Sequence, residues 1–410
     1  IYITDKQQVL VHIISSNNSR LLMVHEYEYS AGDTSNLYLP TINVSASETV
    51  HVMFLGIVPI NQVNLVPYEV PTYSLGDNSK RVINSEFLNN TIPNIIYSSR
   101  TGLKNYLING NFDVWQRADS QTDSGYSSDD RWTNYHNVST KTHTRVSCSS
   151  AERSLFNANA NNYSRTIVSS VSNAASGVVK WQKIENVTRL SGKTVTLSFW
   201  AKADSNKELY FFAIQDFGSG GAPSSPVFDI GSKIFNLTNT WQKFTHTFTI
   251  PNINNKTIGS NGVQTSCTSI NFMFDYGAQQ NSANCPSIVT KQQSGTFDLA
   301  QIQLEDGAVP TPFEYRDIGL ELDLCYRYFE KFNWNIRLDV PASGLGIEQA
   351  YPIFFHRKRI APTASWRNTW LNGCSSASPR GIFESSLSMN ITPTAAAFEM
   401  TQEVRLDAEL

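Results

Sequence analysis

Several stretches of this chain hold residue types that do chemistry elsewhere, and in each the spacing decides. Leu190-Ser191-Gly192-Lys193-Thr194 has the end of a phosphate-cradling loop. That motif needs a Gly five positions ahead of Gly192, where Val187 stands, and a helix after it. A strongly alternating segment follows instead, so Gly192 reads as a hairpin turn. Residues 217–223, Phe-Gly-Ser-Gly-Gly-Ala-Pro, match neither the dinucleotide loop nor the nucleophile elbow. His25-Glu26 is followed by Tyr27 and Glu28, without the second histidine of a zinc helix. His246 falls on the apolar side of an alternating run and reads as a core histidine. Glycosidases draw paired carboxylates from distant positions, so acidic spots need weighing. The densest before the C-terminal tail, Asp129-Asp130-Arg131, reads as structural, with Asp130 paired to Arg131 or another arginine. His356-Arg357-Lys358-Arg359 reads as a solvated strand face. Cys148, Cys267, Cys285, Cys325 and Cys374 include no C-x-x-C pair and read as free thiols rather than disulfides or zinc ligands. No catalytic residue, metal or cofactor is expected.

The elements that would carry any site are strands. Val195, Leu197 and Phe199 alternate with Thr and Ser, as do Phe244, His246, Phe248 and Ile250, and again Ile270, Phe272, Phe274 and Tyr276. A period of two marks strands with one buried and one wet face, as in a sandwich of antiparallel sheets. One helix is expected near 319–332, where Leu320, Leu324, Tyr328 and Phe332 recur every fourth residue. The predicted organisation is a small N-terminal β domain over 1–60, with strands near 8–14, 20–28 and 49–57. An extended connector over 61–104, a β-sandwich over 105–318, and a helix plus C-terminal β domain over 319–410 follow.

Composition narrows the function. Charged residues are 16% of the chain, against about 25% in ordinary globular domains. The net charge of −3 excludes a basic nucleic-acid binder. No apolar run approaches the roughly 18 residues of a membrane helix, so no membrane insertion is expected. The first residues lack the charged and apolar regions of a signal peptide. The 37 asparagines and the many threonines suit turns and wet sheet faces.

From Leu107 the residues become specific. Leu107-Ile-Asn-Gly-Asn-Phe-Asp113-Val-Trp115-Gln-Arg117 and Asp130-Arg131-Trp132 open the pattern. Gln182-Lys-Ile-Glu185, the run from Leu190 to Ala203, the loop Gly218–Pro223 and Thr238 to Gln242 continue it. Phe297 to Glu305, Thr311 to Arg316, Ile318 to Leu322 and Cys325 to Glu330 complete it. In this order, over about 105–332, they closely resemble a domain widespread in bacteriophage tail fibres and tail-associated proteins. Arg359-Ile-Ala-Pro-Thr363 is similar to a strand of the C-terminal region of such fibres.

The resemblance implies an all-β, jelly-roll-like antiparallel β-sandwich, akin to carbohydrate-binding modules and carried on a homotrimer. It implies a virion protein of the tail, assembled in the host cytoplasm and anchored to other phage tail proteins through its N-terminal region. Its ligand would be a host surface polysaccharide, lipopolysaccharide or capsule, bound without catalysis. A structural collar or adaptor linking other fibres to the tail is the alternative reading, and a glycan depolymerase the third. Related modules often hold calcium between two acidic segments. Here Asn109–Asp113 keeps an acid, while Ala300-Gln301-Ile302 replaces the other pair near Asp298. Trp115, Trp132, Trp181, Trp200 and Trp241 belong to the shared pattern and are expected in the core. The glycan-binding candidates are therefore Tyr126 and Tyr135 around the Asp-rich turn, with Trp366, Arg367, Asn368 and Trp370 near the C-terminus. Each offers an aromatic face or a hydroxyl-bonding group for a sugar.

Overall fold

The computed structural model describes residues 103–156, 160–280 and 290–410, together with the backbones of three strands nearer the N-terminus. The chain divides into two compact units, Ile1–Ile92 and Pro93–Leu410. In the first, β1 (Gln7–Ser15) pairs antiparallel with β2 (Leu21–Tyr29) on one side and β3 (Val50–Leu55) on the other. Of the expected connector, residues 61–102 lie outside the described residues.

The second unit begins with β4 (Ser120–Gln121), β5 (Thr133–Asn137), β6 (Thr140–Ser147), β7 (Asn162–Ser169), β8 (Gly177–Glu185) and β9 (Thr194–Ala203). It continues with β10 (Lys207–Asp216), β11 (Val227–Leu237), β12 (Gln242–Thr249), β13 (Cys267–Tyr276) and β14 (Gly295–Asp306). These strands form two antiparallel sheets, ordered β11-β10-β13-β8-β5 and β12-β9-β14-β7-β6-β4. Side chains from both sheets meet in one core. Val195, Leu197 and Phe199 of β9 face Leu209 and Phe211 of β10 and Ile270, Phe272 and Phe274 of β13. The Phe199 and Phe272 rings cross edge to face at 5.3 Å, an arrangement favoured by the ring quadrupoles. This is the all-β sandwich that the alternation implies.

The motif residues lock the sandwich shut. Asn109 sits at φ 57° and uses its side chain to bond Val114 N, Val114 O and Asp130 O at 2.8–3.0 Å. Asn tolerates that left-handed conformation better than most residues. Gln182 accepts from Ile108 N at 2.8 Å and donates to Ile108 O at 2.7 Å, clamping β8 to the opening segment. Gly110 must be glycine, because a Cβ there would strike the Ile302 carbonyl oxygen.

Four sequence expectations are corrected. Gly192, at φ 71°, is not a hairpin turn: β8 and β9 lie in different sheets, and the chain crosses between them through a single 3-10 turn at Val187–Leu190. The faces expected to be wet are covered on the central strands. Thr196 is fully buried, with its hydroxyl on Thr247 Oγ1 and Gly307 O, and every residue of β13 is buried. The helix near 319–332 spans only Ile318–Tyr326, because Phe329 already opens β15 (Phe329–Asp339). Its stripe is also displaced: Glu321 and Cys325 are buried while Leu320 is exposed, since Arg316 and the Asn109 amide hold Glu321 inward. Finally, His356–Arg359 lies in a loop, and Lys358 is buried against the Glu330 carboxylate. A short helix at Ser150–Leu155, absent from the sequence reading, starts from a Ser149–Glu152 capping box.

After β15 the chain adds β16 (Gln349–Phe354), β17 (Thr363–Asn372), β18 (Cys374–Ile382), β19 (Ser386–Pro393) and β20 (Ala397–Asp407). They form two three-stranded sheets, β15-β20-β17 and β16-β19-β18, over a separate core of Met389, Ile391, Met400, Val404 and Leu406. Buried charges tie this region to the sandwich. Arg131 pairs with Glu409 and stacks 3.4 Å above the Tyr328 ring centroid. Arg117 reaches Asp130 at 3.1 Å and Glu409 at 3.3 Å. The partner of Asp130 is thus another arginine, Arg117.

Candidate functional site

The outer face of the five-stranded sheet carries a second apolar cluster, separate from the sandwich core. Val179, Tyr210, Phe212, Met273 and Tyr276 are buried in it, and Trp181, Ile214 and Phe228 pack on its margin. The outer face of a sandwich sheet is ordinarily polar. Here it forms a groove of about 310 Å³, within the size range of ligand pockets.

Register fixes the layout. On β13 the outward residues Cys267, Ser269, Asn271 and Met273 make the floor. Asn271 stands between Trp181 of β8 and Phe212 of β10. Ser269 stands between Lys183 and Ile214, and Met273 between Val179 and Tyr210. Tyr135 of β5 pairs opposite Val179, and its ring meets Trp181 at 5.8 Å and 44°. Two strand spacings separate Trp181 from Phe212, about 10 Å between backbones. That distance admits one flat ring between two aromatic walls.

Polar groups in the groove are few and mostly engaged. Asn271 Nδ2 donates to Phe212 O at 3.1 Å and Ser269 Oγ at 2.7 Å, so the amide offers a ligand its Oδ1. Lys183 Nζ donates to Leu410 O at 3.1 Å, and Asp216 Oδ1 accepts from Gly218 N at 2.9 Å. Burial pushes the Cys267 thiol up to about 11, which keeps it neutral. Among the described lining residues Asp216 is the one carboxylate.

Beneath the Tyr135–Trp181 wall lies a buried polar network. Asn134 and Lys180, which alternate with the wall residues on β5 and β8, point into the sandwich. Lys180 Nζ bonds the Asp129 carboxylate and, at 2.8 Å, Asn134 Oδ1. His143 Nε2 lies 3.1 Å from Asp129, and all three ionisable groups are fully enclosed. Burial works to raise the Asp129 carboxyl, yet His143 and Lys180 beside it hold it well below the ordinary range. Burial lowers His143 to about 4 and Lys180 to about 8. This network fixes β5 against β8 and so fixes the wall.

Of the residues expected from sequence, Tyr135 lies on the groove, 40% exposed. Tyr126 does not: it is half-buried at the junction with the C-terminal sheets, its hydroxyl 3.4 Å from Leu410 O. Burial raises that hydroxyl to about 12. Trp366, Arg367 and Trp370 belong to β17, in the C-terminal sheets. Trp366 packs against their core, Arg367 is exposed, and Trp370 is half exposed. The side chain of Asn368 lies outside the described residues. Trp132 is core, Trp115 stacks on His143 at 5.5 Å, and Trp200 and Trp241 cross Phe156 edge to face at 5.6 and 5.0 Å. Trp181 breaks the expectation by standing on the groove. Asp298, near the expected calcium segment, is taken by Arg165 through two bonds of 2.8 and 2.9 Å. Among the described residues no group of three or more acidic, His or Cys side chains could hold a metal ion.

Residues 104–261 match the family described as carbohydrate binding domain. This carbohydrate-binding-module-like domain supplies the walls Tyr135, Trp181 and Phe212, while the floor strand β13 follows just beyond the matched stretch. Among curated proteins nothing matches the chain. Among solved structures, one titled "CBM4 structure and function" is 17% identical, over 48% of this chain and 98% of its own, at a TM-score of 0.27. A family 11 carbohydrate-binding module from Clostridium thermocellum, in complex with a β-1,3-1,4-mixed-linked tetrasaccharide, is 13% identical over 47% and 98%, at 0.28. The enzymatically active domain of bacteriophage CBA120 tailspike protein 4 is 14% identical over 50% of this chain and 21% of its own, at 0.27.

Proposed function

We propose that this chain is a bacteriophage tail-fibre protein that attaches the virion to a host surface glycan by non-catalytic binding in the groove of the carbohydrate-binding-module-like domain. The observation that carries the reading is the aromatic wall Tyr135–Trp181 facing Phe212 across Asn271, on a domain matched to a carbohydrate-binding family. Aromatic faces take the C–H side of a pyranose, and the Asn271 amide and Ser269 hydroxyl are placed for ring hydroxyls. Two-carboxylate glycoside hydrolysis needs a second acid, and among the described lining residues Asp216 is the one carboxylate. The tail location, cytoplasmic assembly and homotrimeric state extend the tail-fibre resemblance of residues 105–332. Exposed Phe354 on β16 and Phe383 in the turn between β18 and β19, 78% and 65% accessible, offer apolar surface for packing against further copies. Three sites per fibre would raise avidity well above that of a single shallow groove.

The test is a glycan array followed by phage-adsorption competition. Binding without release of reducing ends, lost in Trp181→Ala and weakened in Tyr135→Ala, is the expected result. Cleavage of the bound glycan would replace the reading with an enzyme. Failure to bind cells or compete with adsorption would favour the collar or adaptor role.

A further inference from the structure

Resting on the glycan-binding reading, we infer that the groove selects sugars bearing methyl-ended groups, either the C6 methyl of a 6-deoxy sugar or the methyl of an O-acetyl substituent. The groove is divided along its length. At one end Lys183, Ser269 and Asp216, which can meet hydroxyls, stand among Ile214, Phe228 and Cys267. At the other, the cross-strand row Tyr135–Val179–Met273–Tyr210 is apolar across four strands. The Tyr210 hydroxyl is engaged by the Asp229 carboxylate, and Tyr135 contributes the other hydroxyl of that row. Phe228, which the β10–β11 register places beside Ile214, packs on the margin of the apolar cluster from the other end.

An unsubstituted hexose carries hydroxyls around its whole rim. Seated here, those at the Met273 end would leave water without finding partners, and such desolvation opposes binding. A methyl at the same place loses nothing on leaving water and gains contact with Val179 and Met273. Met273 adds an adaptable thioether that suits methyl groups of either kind. The mixed lining therefore discriminates by what it fails to offer a hydroxyl as much as by what it offers a methyl.

The experiment is calorimetric titration of the full chain with two matched pairs. One is an L-rhamnose oligosaccharide against the L-mannose oligosaccharide of the same linkage and length, which differ only in the C6 hydroxyl. The other is an O-acetylated oligosaccharide against its base-deacetylated form. The methylated member of at least one pair is expected to bind about tenfold tighter or more, the scale of one apolar group in a fitted pocket. The pair that responds identifies the source of the methyl. Val179→Thr, which keeps the side-chain shape, and Met273→Gln should each reduce that preference. Equal binding within both pairs, a preference for the hydroxylated members, or a preference untouched by both variants overturns the inference. If none of the four sugars binds while array binding persists and requires Trp181, only the selectivity falls. If array binding is absent too, the glycan reading falls with it.

Discussion

Replacing Lys180 with methionine tests the network that holds the groove wall. Methionine keeps most of the side-chain volume but removes the cation beside Asp129 and the donor to Asn134 Oδ1 at 2.8 Å. Breaking a buried pair by deleting one partner costs about 3–5 kcal/mol, because the remaining charge has no water. Asp129 is fully enclosed, so the loss at pH 8 should fall in that range. The dependence on pH is the sharper part. In the native protein burial holds His143 near 4, below an ordinary value near 6.5. The unfolded chain therefore binds the proton first. The His143 contribution to native stability is full above about pH 6.5 and declines as pH falls towards 4, by about 3 kcal/mol for a shift of that size. That of Lys180, held at about 8, has already declined between about pH 10.4 and 8. In Lys180→Met the repulsion from Lys180 is gone and His143 faces an unpaired carboxylate at 3.1 Å. Its affinity for a proton rises, so the variant gains stability as pH falls from 8 to 5.5 while the native protein loses it. The deficit should shrink by more than about 1.4 kcal/mol, one unit of pKa. Urea unfolding followed by tryptophan fluorescence at pH 8, 7 and 5.5 measures it. A deficit under about 1 kcal/mol at pH 8, or one that grows on acidification, refutes the argument. Adding Asp129→Asn to Lys180→Met should recover part of the loss, since no charge is then stranded.

Gly110→Ala places a methyl against the Ile302 carbonyl, whose position is fixed by Asn105 Nδ2 at 3.0 Å and by the Ile302 N–H to Gly110 O at 2.9 Å. The backbone must shift, and chemical denaturation should show a loss of about 1–3 kcal/mol with an unchanged m value. Because Arg165 occupies both oxygens of Asp298, chelation by EDTA should leave the melting temperature unchanged within about 1 °C. A drop of several degrees on chelation, restored by calcium, would show that a structural cation is held after all.

How far the sequence could be read depends on which side of each strand carried the apolar residues. On β9 and β13 the alternation of Leu197, Phe199, Ile270 and Phe272 with small polar residues identifies the inward face, and the sandwich follows from it. The covered Thr196 and the floor residue Asn271 were illegible, because a polar residue buried by its neighbours looks the same in sequence as one in water. On β8 the pattern misleads outright. Val-Lys-Trp-Gln-Lys suggests lysine and glutamine outside and tryptophan within, yet Lys180 and Gln182 are the enclosed residues and Trp181 faces the groove. The reason lies far away in sequence: Asp129, Asn134 and the Ile108 peptide supply partners for Lys180 and Gln182 inside the sandwich. With those partners present, the inward positions of β8 can be polar, and the outward ones are left free to be Val179 and Trp181. The same substitution of roles occurs on β5, where Asn134 turns in and Tyr135 turns out. An interior that accepts polar residues only as a satisfied network thereby builds an aromatic exterior. Hence the groove wall depends on Asp129 and Lys180, residues that never touch its ligand.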